Sequence, residues 1–245
     1  MSAPVFLVPT GQLVVGRVTV EGAEGRHAAT VVRLRVGEDV ELVDGRGRRA
    51  AGAVSAVRGK DLVEVDVASV VDEPAPAPRL VVVQALPKGD RGEVAVETMT
   101  EVGVDEIVPW AASRCVTRWR EGRGEKALAR WRTTAQAAAK QSRRARFPVV
   151  TELAGTLDVV DRLRRAAAGV VLYEEAGETL GDFQPPAAGE VVLVVGPEGG
   201  LSDEEQAVLV EAAGTSYRLG PTVLRTSTAG TVALAAVLSR TARWR

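Results

Sequence analysis

A run of five branched apolar residues, Val191–Val195, ends abruptly at the glycine-rich sequence GPEGG, Gly196–Gly200. A short apolar run bounded by glycine is typical of a strand buried on both faces, as in a parallel sheet. Ser202 and Glu205 have the spacing of a capping box, so a helix is expected to begin there and to end near Gly214. This stretch predicts a strand, a loop and a helix of an α/β domain.

A second strand–loop–helix pattern follows. The segment Tyr217–Gly220 leads through Pro221 to a strand end at Arg225, and Thr226–Thr228 offer N-cap hydroxyls to a final helix, roughly Ala229–Thr241. Ligands of open α/β sheets bind at the carboxyl ends of strands, so two such units side by side predict a binding site. Neither loop is a Walker A or G-x-G-x-x-G motif. On spacing alone, two ordinary turns of a domain that binds no nucleotide remain an open alternative.

The first 72 residues have a different pattern of short β-rich runs separated by turns. The runs are Val14–Val20, Val31–Leu34, Asp39–Val43, Ala50–Val57 and Leu62–Val67. Several short strands at close spacing predict a small β-barrel. Proline alternates with other residues in the sequence DEPAPAP at 72–78, which favours an extended spacer. We therefore predict two domains, 1–72 and 79–245.

The rest of the chain alternates between strand and helix patterns, which predicts an α/β fold. Strands are expected at Arg79–Ala85, Ile107–Val108 and Val170–Tyr173, and helices at Glu93–Val102, Glu125–Ser142 and Leu157–Ala168.

Positive charge is concentrated in residues 114–146, which contain eleven Lys or Arg against two Glu in a chain of net charge −1. The helix predicted there places Trp131, Ala135, Ala138 and Ala139 on one side and its cations on the other. A merely solvated face normally mixes both signs of charge, so uncompensated cations favour contact with RNA over a solvated helix.

The composition excludes several classes of protein. One histidine, His27, and one cysteine, Cys115, offer no ligand cluster, so no metal is expected. A single cysteine fits a reducing compartment. No apolar stretch is long enough to span a membrane, and MSAPVFLVPTG lacks the features of a secretory signal. A cytoplasmic protein is expected.

Several motifs together resemble one family. GPEGG before a capped helix, followed by LG-x-x-x-LR-T-x-TA, resembles the carboxyl-terminal signature of the RsmE family of SPOUT-class RNA methyltransferases. The segment from His27 to Gly37, Leu86–Lys88 and Gln141–Arg144 match further family patterns. The chain departs from the family at Ser113 and Ser227, where many members carry an acid, and at Thr98, where many carry a lysine. No role is assigned at those three positions.

The resemblance implies an amino-terminal PUA-like RNA-binding barrel and a SPOUT α/β domain with a deep trefoil knot at about 190–235. It also implies a homodimer that holds S-adenosylmethionine in the knot loops. The implied reaction is methylation of N3 of one uridine in 16S ribosomal RNA, near the decoding centre of the small subunit. A non-catalytic RNA-binding or ribosome-assembly protein is the alternative, and such a protein needs no pocket formed by both loops.

The implied reaction also predicts site residues. N3 of uracil must lose a proton, so a base or a cation that stabilises the uracilate is needed, and Arg225 is the candidate cation. The residues expected to bind the cofactor are Val195, Gly196, Pro197, Glu198, Gly199, Gly200, Leu219, Gly220, Val223, Leu224, Arg225, Thr228 and Ala229. The residues expected to bind RNA are Arg33, Arg35, Lys88, Arg114, Arg130, Arg132, Arg143 and Arg144. Arg33 and Arg35, two residues apart, are expected to share one strand face. For these two, and for Lys88, simple solvation remains open.

Overall fold

The structure is a computed structural model that describes residues 3–244. The chain divides into two compact units. One contains the described residues up to Ala75 together with Ala139–Phe147, and the other contains Pro76–Ala138 and the described residues from Pro148 onward.

The first unit is built on a five-stranded sheet. Its strands are β1 (Val5–Leu7), β2 (Gly16–Val20), β3 (Asp39–Val43), β4 (Arg48–Arg58) and β5 (Leu62–Asp72), in the order β1-β3-β4-β5-β2. β1 is parallel to β3, and the other pairs are antiparallel. The core beneath this sheet is apolar and includes the fully buried side chains of Phe6, Leu13 and Leu42.

The strand predicted at Val31–Leu34 is wrong. A short helix, α1 (Gly22–Arg26), continues as a π-helical turn over His27–Val32. Gly25 lets α1 approach β2 closely, because a Cβ there would lie 2.6 Å from the carbonyl oxygen of Val20. The turn ends at Arg33 in the left-handed conformation (φ 61°), which redirects the chain so that Leu34 enters the core. The β-branched residues of this segment stay exposed, so their strand propensity does not decide its structure.

The second unit is a seven-stranded, all-parallel sheet. Its strands are β6 (Arg79–Ala85), β7 (Glu106–Trp110), β8 (Val149–Val150), β9 (Ala168–Leu172), β10 (Glu178–Thr179), β11 (Glu190–Val195) and β12 (Ser216–Arg218). The order across the sheet is β10-β12-β9-β11-β6-β7-β8. The central strands are fully buried, as the apolar run Val191–Val195 predicts. β9 lies between β11 and β12, so the two strand–loop–helix units are not adjacent as predicted.

Five helices accompany the sheet along this part of the chain. They are α2 (Arg91–Val102), α3 (Arg123–Gln141), α4 (Thr156–Arg165), α5 (Asp203–Ala213) and α6 (Thr226–Leu238). α2 and α6 pack against each other, as do α4 and α5. α6 also packs on β6 and β11, and its approach depends on Gly230, where a Cβ would lie 2.8 Å from the sulfur of Met99. The mixed α/β fold expected from the sequence is confirmed.

Helix boundaries agree with local sequence signals in two places and disagree in one. α5 begins with the predicted capping box of Ser202 and Glu205 and ends at Gly214. β12, however, ends at Arg218, and Arg225 is the N-cap residue of α6 rather than the end of a strand. No side chain caps that helix, so the predicted N-cap role of the hydroxyls at 226–228 is wrong.

Candidate functional site

A pocket of about 320 Å³ lies in the second unit, where β9, β11 and β12 end and α6 begins. This is the edge of a parallel sheet at which ligands bind. Two glycine-bearing segments form much of its wall: the first pocket loop, Gly196–Leu201, follows β11, and the second pocket loop, Leu219–Arg225, precedes α6.

Most of the residues predicted to bind a cofactor meet in this pocket. They are Val195, Gly196, Pro197, Glu198, Gly200, Leu219, Gly220, Val223, Leu224, Arg225 and Ala229. Gly199 and Thr228 do not line it. Gly199 faces Arg114, since a Cβ there would lie 3.2 Å from the Cβ and the carbonyl oxygen of Arg114. The Thr228 hydroxyl donates instead to the carbonyl oxygen of Arg225, at 3.2 Å.

Sequence reasoning missed several lining residues. They are Leu172, Tyr173, Glu174, Leu201, Tyr217, Arg218, Thr222 and Thr226. The first three follow from the same rule that located the glycine loops, because they stand at the carboxyl end of β9, a parallel strand. Tyr217 and Arg218 required the position of β12 beside β9, which nothing in the local sequence indicates.

The buried carboxylate of Glu205 lies in the first turn of α5, directly after the first pocket loop, and accepts several hydrogen bonds. Glu205 is 6% exposed and accepts hydrogen bonds from the Ser113 backbone N–H (2.8 Å), the Ser113 hydroxyl (2.6 Å) and the Thr156 hydroxyl (3.0 Å). It also accepts one from the Ser202 N–H, while its own N–H donates to the Ser202 hydroxyl. Burial alone would raise the pKa of Glu205, but the hydrogen bonds from Ser113, Ser202 and Thr156 outweigh it, so the pKa lies below its ordinary value.

Further hydrogen bonds connect the same loop to other segments, either directly or through neighbouring residues. The Arg114 guanidinium donates to the carbonyl oxygen of Leu201 at 2.9 Å, and the backbone N–H of Lys88 donates to the Glu198 carboxylate at 3.2 Å. The Thr117 hydroxyl donates to the carbonyl oxygen of Pro87 at 2.7 Å. The first pocket loop is therefore joined to the segments that follow β6 and β7.

The pocket contains charges of both signs. Arg218 and Arg225 line it, and neither side chain forms an ion pair or hydrogen bond with another residue in the described part of the chain. Glu174 and Glu198 supply carboxylates. The hydrogen bond from the Tyr173 hydroxyl to Glu175 raises the pKa of that phenol, and burial raises the pKa of Tyr217. Both tyrosines are therefore neutral donors at neutral pH.

The lone cysteine and histidine lie outside the pocket. Cys115 is buried, and burial raises the pKa of its thiol, so it is not an activated nucleophile. His27 is exposed at the start of the π-helical turn. Within residues 3–244 no cluster of His, Cys, Asp and Glu could hold a metal ion. No helix of that described range is long and apolar enough to cross a membrane.

The cations predicted to bind RNA have varied surroundings. Arg33 and Arg35 are exposed but do not share a strand face, because Arg33 ends a helix. Lys88 and Arg143 are also exposed, and Arg143 has a left-handed backbone (φ 58°). Arg114 is exposed, but its guanidinium donates a hydrogen bond to the carbonyl oxygen of Leu201 in the first pocket loop.

The cations of α3 are not all uncompensated, whereas the sequence predicted uncompensated charge there. Its apolar side, formed by Trp131, Ala135, Ala138 and Ala139, is buried as predicted. Three cations of its outer side nevertheless have carboxylate partners, in the pairs Arg130–Glu93 (3.0 Å), Arg132–Glu152 (2.8 Å) and Lys140–Glu24 (2.7 Å). These acids lie outside residues 114–146, so a count over that window could not include them.

Comparison with known proteins assigns both halves of the chain. A family model described as an RNA methyltransferase domain matches residues 73–238, and one described as an RNA methyltransferase PUA domain matches residues 20–68. The chain is 46% identical to ribosomal RNA small subunit methyltransferase E of Mycobacterium tuberculosis, over 100% of this chain and 94% of that protein. It is 30% identical to the Bacillus subtilis protein of the same name, over 91% of this chain and 90% of that protein.

A solved structure agrees with these matches. The crystal structure of a ribosomal RNA small subunit methyltransferase E from Neisseria gonorrhoeae, bound to S-adenosyl methionine, superposes with a TM-score of 0.85. The two chains share 29% identity, and the match covers 97% of this chain and 98% of that one.

Proposed function

The chain belongs to the ribosomal RNA small subunit methyltransferase E family, and on that premise we propose that it methylates N3 of one uridine in 16S ribosomal RNA, near the decoding centre. Family membership makes it an S-adenosylmethionine-dependent methyltransferase of ribosomal RNA. The atom and nucleotide are the proposal, and they come from the resemblance of the GPEGG and LG-x-x-x-LR motifs.

The pocket fits S-adenosylmethionine, and this is the structural observation that supports methyl transfer by this chain. Its volume of about 320 Å³ falls within the range of roughly 300–1,000 Å³ found for small-molecule sites. At Gly220 a Cβ would meet no atom within 4 Å, so the absent side chain leaves open space beside the pocket. Val195, Leu219 and Leu224 offer apolar surface for a purine ring, and Glu174 and Glu198 offer acceptors for hydroxyl or ammonium groups.

The residues of the pocket can also support proton loss from uracil. When bound, the cofactor would supply a methyl group activated by a sulfonium, which N3 would accept as the S–C bond breaks, once the N3 proton has passed to water. Arg225 stands at the N-terminus of α6, where its guanidinium and the helix dipole both favour an anion. Arg218 adds a second unpaired cation at the same pocket. We assign Arg225 the role of stabilising the uracilate.

Finer features of the fold belong to the same proposal. We propose that the first domain, residues 1–72, closes as a PUA-like barrel and that residues 79–245 form a SPOUT domain with a trefoil knot at about 190–235. The order of contacts supports a knot, because the chain leaves β11, visits β12 two strands away, and returns as α6 to pack on β11 and β6.

We also propose a homodimer in the cytoplasm. α2 and α6 support it because each leaves a valine exposed, Val94 (47%) and Val232 (43%). The hydroxyls of Thr98 and Thr231 lie 2.7 Å apart on these paired helices, so the exposed faces are close together. A sedimentation mass of one chain at micromolar concentration would contradict the dimer.

The proposed RNA contacts are Arg33, Arg35, Lys88, Arg114, Arg130, Arg132, Arg143 and Arg144, all exposed except the half-buried Arg144. Three exposed cations not predicted at first, Arg120, Arg123 and Lys126, form no side-chain ion pair within residues 3–244 and join this set. The logarithm of the RNA-binding constant falls linearly with the logarithm of the salt concentration, and each phosphate contact should contribute about −0.7 to −0.9 to that slope. Replacing Arg123 and Lys126 by Ala should therefore flatten that slope. The matched pair Arg130→Ala and Arg132→Ala should do so less, because those side chains are engaged by carboxylates.

Methyl transfer to small subunits tests the function directly. Subunits from cells that lack this protein, incubated with the purified protein and methyl-labelled cofactor, should gain one methyl group on one uridine of 16S ribosomal RNA. Digestion to nucleosides should identify it as 3-methyluridine. RNA binding without any transfer would instead support the alternative of a non-catalytic assembly factor.

A further inference from the structure

We propose that the segment Ser113–Thr117, which follows β7, is a clasp that holds the first pocket loop in its cofactor-binding conformation. Glu205 is the residue through which it acts. None of these residues lines the pocket, so they are positioning residues rather than catalytic ones. The inference rests on the proposed function, because it concerns the same cofactor pocket.

The clasp contacts three parts of the pocket's surroundings within five residues. Ser113 donates twice to Glu205 in the first turn of α5, the helix that follows the first pocket loop. Arg114 donates to the carbonyl oxygen of Leu201, at the end of the loop itself. Thr117 donates to the carbonyl oxygen of Pro87, one residue before the Lys88 N–H that binds Glu198 of the loop.

Glu205 makes the clasp specific to one position of the loop. Both of its oxygens are engaged, one by the Ser113 hydroxyl and the Ser202 N–H and the other by the Ser113 N–H and the Thr156 hydroxyl. A buried carboxylate that loses such a donor is left partly unpaired, so displacement of the loop is costly. The bond from its own N–H to the hydroxyl of Ser202, the residue that follows the loop, connects that residue to the same carboxylate.

Two glycines show that the loop conformation is a constrained one. Gly200 has φ +71°, which L residues rarely adopt, and its N–H donates to the carbonyl oxygen of Pro197 at 3.0 Å. Gly199 packs against Arg114, and a Cβ at Gly199 would require Arg114 to move by a few tenths of an ångström. Glycine adopts many backbone conformations at similar cost, so contacts from outside the loop, which the clasp supplies, help to hold this one.

The test compares three variants that differ in which bond is lost. Ser113→Ala removes one hydrogen bond to Glu205, and Ser113 itself lies outside both the pocket and α5. Ser113→Thr keeps the hydroxyl at an exposed position. Ser202→Ala removes the helix cap but leaves Glu205 bonded to Ser113 and Thr156. Calorimetry gives the Kd for S-adenosylmethionine, thermal unfolding gives the Tm, and methyl transfer at saturating cofactor gives kcat.

We expect Ser113→Ala to raise the Kd about tenfold, because it removes a hydrogen bond to a charged group, with kcat unchanged. Ser113→Thr should restore the Kd, and Ser202→Ala should lower the Tm without a comparable change in the Kd. The inference is overturned if Ser113→Ala binds the cofactor as the wild type does, or if Ser202→Ala weakens binding equally for the same loss of Tm. A wild-type protein that binds no cofactor would instead refute the proposed function.

Discussion

The two loops that form the pocket are held in different ways. The first pocket loop is tied by side-chain hydrogen bonds from Arg114 and to Glu198, and it leads directly into the buried Glu205 centre. The second pocket loop has one side-chain hydrogen bond, from the Thr228 hydroxyl to the carbonyl oxygen of its last residue, Arg225. Within the described chain, Leu219–Leu224 form no hydrogen bond to any side chain, and Val223 is 78% exposed. Its attachment is apolar, through the half-buried Leu219 and Leu224.

Because of this difference, we expect the two loops to have different roles. Segments with few buried contacts and few hydrogen bonds open at low free energy, whereas a hydrogen-bonded loop stays close to its bound form. A preformed first loop suits the binding of a small cofactor of fixed shape. An adaptable second loop suits a step in which a large RNA must bring one base to Arg225.

The largest expected effect separates chemistry from binding. Arg225→Gln removes the cation of the second pocket loop, so kcat should fall by about 100-fold or more, as when a donor that stabilises a developing anion is lost. Single-turnover methyl transfer at saturating cofactor measures it, with calorimetry for the Kd of S-adenosylmethionine. Arg225→Lys should retain part of the activity. A Kd that rises while kcat is unchanged would make Arg225 a cofactor-binding residue alone.

A matched pair of glycine variants compares the loops directly. Gly200→Val forces a β-branched residue into φ +71°, at a cost of about 1–2 kcal/mol or more, so the Kd should rise at least about tenfold. At Gly220 no positive φ is required and a Cβ would meet no protein atom within 4 Å, so Gly220→Val should raise the Kd less, only through the pocket space that its side chain takes from the cofactor. Equal losses in the two variants would remove the distinction between the loops.

The apolar attachment of the second pocket loop predicts a moderate stability effect. Leu224→Ala should lower the free energy of unfolding by about 1 kcal/mol, less than for a fully buried leucine, because Leu224 is only half-buried. Val223→Ala is the control and should have little effect, since that side chain is exposed. Chemical denaturation measures both. A larger loss of unfolding free energy for Val223→Ala than for Leu224→Ala would contradict the exposed position of Val223.

The smallest expected effect is a pH dependence from the first loop's anchor. The pKa of Glu205 in the folded protein lies below its ordinary value of 4.5. Its contribution to stability is therefore complete above about pH 4.5 and is lost as the pH falls through the folded pKa. The wild type should lose more stability on acidification over that range than Glu205→Gln does. Parallel curves for the two proteins would contradict the role of the charged form.

The sequence predicts those parts of the molecule that depend on local signals. The strand Val191–Val195, the capping box of Ser202 and Glu205 and the strand Arg79–Ala85 all appear as expected, because each depends on neighbouring residues only. The motif GPEGG also led to most of the pocket. These features give fold class and the place of the site.

What the sequence could not give depends on distant partners. Arg130, Arg132 and Lys140 have carboxylates 37, 20 and 116 residues away, so their charge is compensated only in the folded chain. Tyr217 and Arg218 enter the pocket because β12 pairs with β9, which local patterns do not encode. Val31 and Val32 have strand propensity, yet the packing of Ala28 and Leu34 places them in a helical turn.

Hydrogen exchange with and without S-adenosylmethionine tests the comparison of the two loops most directly. Without cofactor, the Gly200 N–H, which donates to the carbonyl oxygen of Pro197, should already be protected, as should the Ser113 N–H that donates to Glu205. The amides of Leu219–Arg225 should exchange fast and gain protection only when the cofactor is added. Fast exchange in the first loop and slow exchange in the second, before any cofactor is present, would contradict the account.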